Sequence, residues 1–128
     1  MEVFFVDRSP ESRARLRSLV EAIDGAHVAG DAAGARAAVG AILAGKPDVV
    51  LVDVLLEDGS GFEVLREVGA REPGIALYML SNYASEPYRR HAARLGALDF
   101  FDRTTELGRL REALAARARL TRRPVAPL

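Results

Sequence analysis

Apolar positions recur along the chain in two alternating rhythms. Val3-Phe4-Phe5-Val6, Val49-Val50-Leu51-Val52 and Tyr78-Met79-Leu80 are unbroken runs, whereas the segments between them space apolar residues three and four apart. Unbroken runs suit strands covered on both faces, and the wider spacing suits helices with one buried stripe. The first strand is predicted over Glu2–Val6. Ser9 then offers an N-cap oxygen and Pro10 a preset φ, and Leu16, Leu19, Val20 and Ile23 share one helix face before Asp24-Gly25 ends it. A short strand is expected at His27–Gly30, with Asp31 capping an alanine-rich helix that runs to about Ala44 and stops at Gly45 and Pro47. The third strand is Val49–Asp53, and the third helix begins near Gly61 and buries Phe62, Leu65 and Val68. Pro73-Gly74 turns the chain into a fourth strand, Ile75–Leu80, and a helix follows from about Ser85 to Leu95. A fifth strand at Leu98–Phe101 leads into a last helix, about Glu106–Leu120, with Leu107, Leu110 and Leu114 on one stripe.

Five strand–helix repeats with short connections predict an α/β fold. The expectation is a (βα)5 doubly wound parallel sheet with right-handed crossovers, flavodoxin-like, in strand order 2-1-3-4-5. Strands one, three and four are the most apolar and belong in the centre; strands two and five are poorer and belong at the edges. Residues 1–120 read as one domain with no internal repeat. Residues 121–128, with Arg122-Arg123 and two prolines, read as a flexible C-terminal tail.

Composition narrows the function classes. Eighteen basic residues balance eighteen acidic ones, so bulk charge points to neither nucleic acid nor an anionic membrane. No apolar run approaches the ~18 residues needed to cross a bilayer. The chain has no cysteine, which removes thiolate catalysis, disulfides and cysteine metal sites. A cytoplasmic location is expected. Lys46 is the only lysine; every other cation is arginine.

In the predicted strand order, strands one and three are neighbours at the switch point, where open α/β sheets place their chemistry. Asp7 and Asp53 end those strands and should converge. Strand four brings Ser81 to the same rim, and strand five brings Arg103. Either aspartate alone reads equally well as a strand terminator; the meeting of two carboxylates, a hydroxyl and a cation favours a site. A carboxylate can attack a phosphoryl donor and form an acyl phosphate, given positive charge near the phosphoryl oxygens.

These pieces, in order, resemble the receiver domain of bacterial two-component response regulators, with a likeness to chemotaxis regulators. The resemblance runs from Val3 to about Leu120. It rests on Pro47-Asp48-Val49-Val50-Leu51-Val52-Asp53, Asp58-Gly59-Ser60-Gly61, Leu80-Ser81-Asn82, Gly96-Ala97 and Phe100-Phe101-Asp102-Arg103-Thr104. It implies that Asp53 is the phosphoacceptor, Ser81 the hydroxyl that moves to the phosphoryl group and Phe100 an aromatic rotamer switch. Mg2+ would be held by Asp7, Asp53 and the backbone carbonyl of Leu55. Two positions depart from the family pattern. Arg8 stands where a second, metal-binding acid usually follows Asp7, and Arg103 stands in place of the usual lysine. Arg8 weakens the metal site, or removes it. It can pair with Asp53, hold a phosphoryl oxygen, or face solvent.

The resemblance further implies a histidine kinase or phosphotransfer protein as donor and a downstream protein as target, with no direct nucleic-acid or membrane contact and scope for a homodimer. The expected function is a stand-alone receiver in a phosphorelay, a switch rather than an enzyme. The alternative is a degenerate receiver, an interaction module independent of phosphorylation. Output is expected on the face of the fourth helix, fifth strand and fifth helix, near Tyr83, Tyr88, Arg89 and Arg90. Other readings lack required residues. There is no Gly-x-x-x-x-Gly-Lys-Ser/Thr loop. No glycine follows the first strand to cradle a flavin phosphate. Leu55 occupies the place where a haloacid-dehalogenase phosphatase needs aspartate and a cobalamin site needs histidine. His27 and His91 are isolated and read as surface residues.

Overall fold

A computed structural model describes residues 1–121 of the chain. The expected tail at 121–128 therefore lies outside the described residues, except for Thr121, which closes the last helix. The elements are β1 (Glu2–Val6), α1 (Pro10–Glu21), β2 (His27–Ala32), α2 (Ala35–Gly45), β3 (Val49–Asp53), α3 (Gly61–Arg71), β4 (Ala76–Ser81), α4 (Glu86–Arg94), β5 (Asp99–Asp102) and α5 (Leu107–Thr121). The strands form one parallel sheet in the order β2-β1-β3-β4-β5, the predicted doubly wound arrangement. A two-strand hairpin, Leu55–Leu56 with Gly59–Ser60, stands apart from the sheet and was not among the five predicted strands.

Alternation along the strands divides the core into two layers. Phe4, Val6, Val50, Val52, Leu77, Met79 and Phe100 pack beneath residues of α2, α3 and α4. Val3, Phe5, Leu51, Leu80 and Phe101 pack beneath Leu16 and Val20 of α1 and Leu110 and Leu114 of α5. Burying each such large side chain stabilises the fold by about 1.5–3 kcal/mol before entropy is counted. The edge strand β2 alternates exposed and half-buried positions, in accord with its weak signal.

Three local expectations need correction. Strand β2 continues to Ala32, so Asp31 does not cap α2; it pairs with Arg17 at 2.9 Å instead. The N-cap position of α2 is Gly34, which has no side chain to offer, and Asp58 from the hairpin loop accepts the Ala35 and Arg36 N–H groups in its place. That arrangement holds the Asp58 carboxyl below its ordinary value, through the Ala35 bond first and the Arg36 bond second. In α3 the buried side chains are Val64, Leu65 and Val68, while Phe62 is only half-buried and meets the rings of Tyr88 and His91. The last two strands each run one residue later than predicted, through Ser81 and Asp102.

Candidate functional site

Asp53 is the final residue of β3 and lies level with Leu80 of β4, so its carboxylate leaves the sheet at the carboxyl edge. Asp7 follows β1 and is buried, at 1% exposure. Its backbone is fastened on both sides: its N–H donates to the Ala32 carbonyl at 3.0 Å, and its own carbonyl accepts from the Arg13 guanidinium at 2.7 Å. Its Oδ1 accepts from the Ser9 N–H at 2.9 Å. The start of α1 thus fixes the Asp7 rotamer. Ser81 ends β4, equally buried, with Oγ accepting from the Tyr83 N–H at 2.9 Å. The Arg103 N–H donates to the Ser81 carbonyl at 2.9 Å, which ties the exit of β5 to β4.

These residues line one cleft of about 240 Å³, together with Arg8, Ser9, Ser12, Leu55, Asn82 and Tyr83. The convergence expected at the switch point is present. At its centre the Arg103 guanidinium stands between the two carboxylates. Its Nη2 is 2.7 Å from Asp7 Oδ2 and 3.0 Å from Asp53 Oδ2, with 12% of its side chain exposed. Only the contact with Asp53 is aligned as a hydrogen bond; Asp7 Oδ2 and Arg103 Nε are buried without an aligned partner. Asp53 Oδ1 accepts from the Leu55 N–H at 3.3 Å. Burial pushes the Asp53 carboxyl above its ordinary value of 3.8; Arg103 opposes the rise and the charge of Asp7 adds to it.

Arg8 lines the cleft from an exposed position and takes part in none of the ion pairs among the described residues. Of its three expected fates, pairing with Asp53 is excluded in this structure, because Arg103 fills that role. The sequence treated Arg103 only as a phosphate contact. Its bridge across both aspartates was not legible, because it depends on side-chain reach between strands distant in sequence.

The donor set bears on a divalent cation. Mg2+ takes six oxygen ligands at about 2.0–2.1 Å, usually one or two carboxylates with several waters, and dehydrates reluctantly. Asp7, Asp53 and the Leu55 carbonyl offer oxygens, but both facing Oδ2 atoms lie within ion-pair distance of one Arg103 nitrogen. No group of three acidic, histidine or cysteine side chains gathers as a metal cage among the described residues. Two carboxylates face two guanidinium groups in the cleft, so its formal charge is zero. As arranged, these side chains do not fit hexacoordinate Mg2+.

On the neighbouring face, Phe100 is buried at 3% exposure, with the Arg89 guanidinium 5.3 Å from its ring centroid. Arg89 Nη1 donates to the Phe100 carbonyl at 2.8 Å, and Arg109 Nη2 donates to the same oxygen at 3.1 Å. Glu106 accepts from Arg89, from Arg109 and from the Asp102 N–H, while Arg109 reaches on to Asp99. Those bonds, the Asp102 N–H foremost and then Arg89 and Arg109, lower the Glu106 carboxyl to about 2. Of the four residues expected on an interaction face, Tyr83, Tyr88 and Arg90 are exposed, but Arg89 is half-buried and engaged in this knot. Glu106, Arg109 and Asp99 were missed, since no sequence pattern signals bonds that cross between an edge strand and two helices.

A strand-end aspartate in a cleft of a 2-1-3-4-5 sheet, flanked by a buried acid, a hydroxyl and a cation, defines the regulatory α/β domains of two-component signalling. Residues 3–115 match the response regulator receiver domain family, and the chain belongs to it. The response regulator protein PilR of Pseudomonas aeruginosa is 38% identical over 80 residues, 62% of this chain and 18% of that protein. The chemotaxis protein CheY of Thermotoga maritima is 28% identical over 112 residues, 88% of this chain and 92% of that protein. A solved CheX–CheY–BeF3–Mg2+ complex from Borrelia burgdorferi contains a similar fold, with TM-score 0.78, 21% identity and 89% coverage of each chain. The chain spans less than half the length of several of the curated relatives that it matches. No helix among the described residues is long and apolar enough to cross a membrane.

Proposed function

We propose that this receiver unit accepts a phosphoryl group on Asp53 from a histidine kinase or phosphotransfer protein and relays that state to a protein partner. It acts as a switch, not as an enzyme that turns over a metabolite. One observation carries the reading: Asp53 opens into a cleft that also presents the Ser81 hydroxyl and the Arg103 guanidinium, the groups a transferred phosphoryl needs around it. An Asp53 oxygen attacks phosphorus, the bond from phosphorus to the donor nitrogen breaks, and the donor imidazole leaves. Phosphorylation turns the Asp53 carboxylate into an acyl phosphate whose negative charge lies on the phosphoryl oxygens. Arg103 and the Ser81 hydroxyl are then drawn to the phosphoryl oxygens, and the β4–β5 edge carrying Phe100 shifts with them. The output surface would be the exposed face around Tyr83, Tyr88 and Arg90.

The Arg103 bridge also favours a second reading, because a pocket already neutralised from within resembles a receiver that signals without phosphate. The two part on one measurement. Intact-protein mass spectrometry after incubation with acetyl phosphate and Mg2+ should show one added phosphoryl group, absent from Asp53→Asn. No gain in folded protein would establish the phosphate-independent module instead.

A further inference from the structure

The cleft that receives the phosphoryl group has an internal cation. We infer that the Arg103 guanidinium, lodged between Asp7 and Asp53 with Arg8 at the rim, takes the place of a divalent metal, so that acyl phosphate forms at Asp53 without Mg2+. The inference rests on the phosphoacceptor reading and specifies the cation on which that reading depends. A single guanidinium nitrogen contacts Oδ2 of both aspartates, at 2.7 and 3.0 Å. A metal bridging those oxygens would have to displace it, into a cleft that already counts as many cations as anions. Asp7 is fixed by its bonds to Ser9 and Arg13 and is buried, so the guanidinium is held against a rigid anion rather than left free in solvent.

The chemistry closes without a metal. A guanidinium offers planar, paired donors that match two phosphoryl oxygens, and it remains charged at every accessible pH. With acetyl phosphate as donor, an Asp53 oxygen forms the bond to phosphorus, the phosphorus–oxygen bond to the acetyl group breaks, and acetate leaves with the electron pair. No redox partner is needed. Once Asp53 is an acyl phosphate its negative charge lies on the phosphoryl oxygens, so Arg103 exchanges the carboxylate contact for a phosphoryl oxygen while keeping Asp7. Arg8, exposed and unpaired among the described residues, supplies the second cation at the mouth.

The test compares phosphoryl gain by intact mass in Mg2+ buffer and in excess EDTA, alongside a Mg2+ titration followed by amide NMR of residues 7, 53 and 55. Equal rates of gain in the two buffers, with no saturable shift at millimolar Mg2+, are expected. Arg8→Asp, an exposed change that leaves the core intact, should introduce a saturable Mg2+ response, and Arg103→Gln should reduce the EDTA rate at least tenfold. Gain that requires Mg2+ in the wild-type chain overturns the inference and leaves the phosphoacceptor reading standing. Saturable Mg2+ binding at the three amides of the wild-type chain overturns it as well. Gain in neither buffer overturns both.

Discussion

Asp53 shows how burial and charge compete at one side chain. Burial raises its carboxyl, Arg103 opposes, and the net direction is upward from 3.8. A carboxyl that binds its proton more tightly folded than unfolded stabilises the fold below its unfolded value. That contribution is lost as pH rises through the elevated folded value. At neutral pH the ionised Asp53 is therefore a net cost. Asp53→Asn should unfold a few degrees higher than the parent at neutral pH, on the scale of about 4–8 °C per kcal/mol for a small domain. The gain should vanish at pH below 3.8, where the parent carboxyl is also neutral. Thermal melts at the two pH values check this; a melting point lowered at neutral pH would mean that the bond to Arg103 outweighs desolvation.

Elements are joined by close backbone approach as much as by side-chain packing. Gly61 begins α3 directly against the end of β3: its N–H donates to the Val54 carbonyl, and a methyl group there would run into the Asp53 carbonyl oxygen. No rotamer relieves a clash with backbone. Gly61→Ala should cost about 2 kcal/mol or more in a urea titration, since α3 must shift and carry Asp53 with it. Gly40, inside α2, is the contrast. Nothing lies within 4 Å of a methyl group at that position. Gly40→Ala should stabilise by about 0.5–1 kcal/mol through helix propensity alone. The sequence showed glycines at both positions, and nothing local told them apart.

Across the whole molecule, the site and the output face meet at β4 and β5. Ser81 and Phe100 lie on these paired strands, and Arg89, Glu106 and Arg109 tie α4, β5 and α5 together behind Phe100. The carboxyl of Glu106, lowered to about 2 in the fold, contributes stability that is present above its unfolded value of 4.5 and is lost as pH falls between those values. Glu106→Gln should flatten that acid limb in denaturation curves. With the side chain about a quarter exposed and screened by water, the cost at neutral pH should be about 1 kcal/mol. The same substitution should loosen α4 and quicken amide exchange at Phe100; unchanged exchange there would show that the knot does not restrain the switch.

Fold class, strand order and the identity of the clustered residues were all legible before folding was considered. Apolar runs of strand length and helical spacings are local, and the topology rules for parallel sheets leave few alternatives, so Asp7, Asp53, Ser81 and Arg103 could be placed at one rim. The role of each cation, by contrast, was set by side-chain geometry in the folded chain. Arg8 and Arg103 are the same residue type near the same carboxylates, yet one is exposed and the other bridges both at 2.7 and 3.0 Å. The same holds for Asp58 capping α2 in place of Asp31, and for Arg89 being tied to Phe100 instead of exposed on the surface. Each depends on the direction and reach of a long or charged side chain between segments distant in sequence. Hydrophobic periodicity carries no information about that, because it records which face is buried and not which partner waits there.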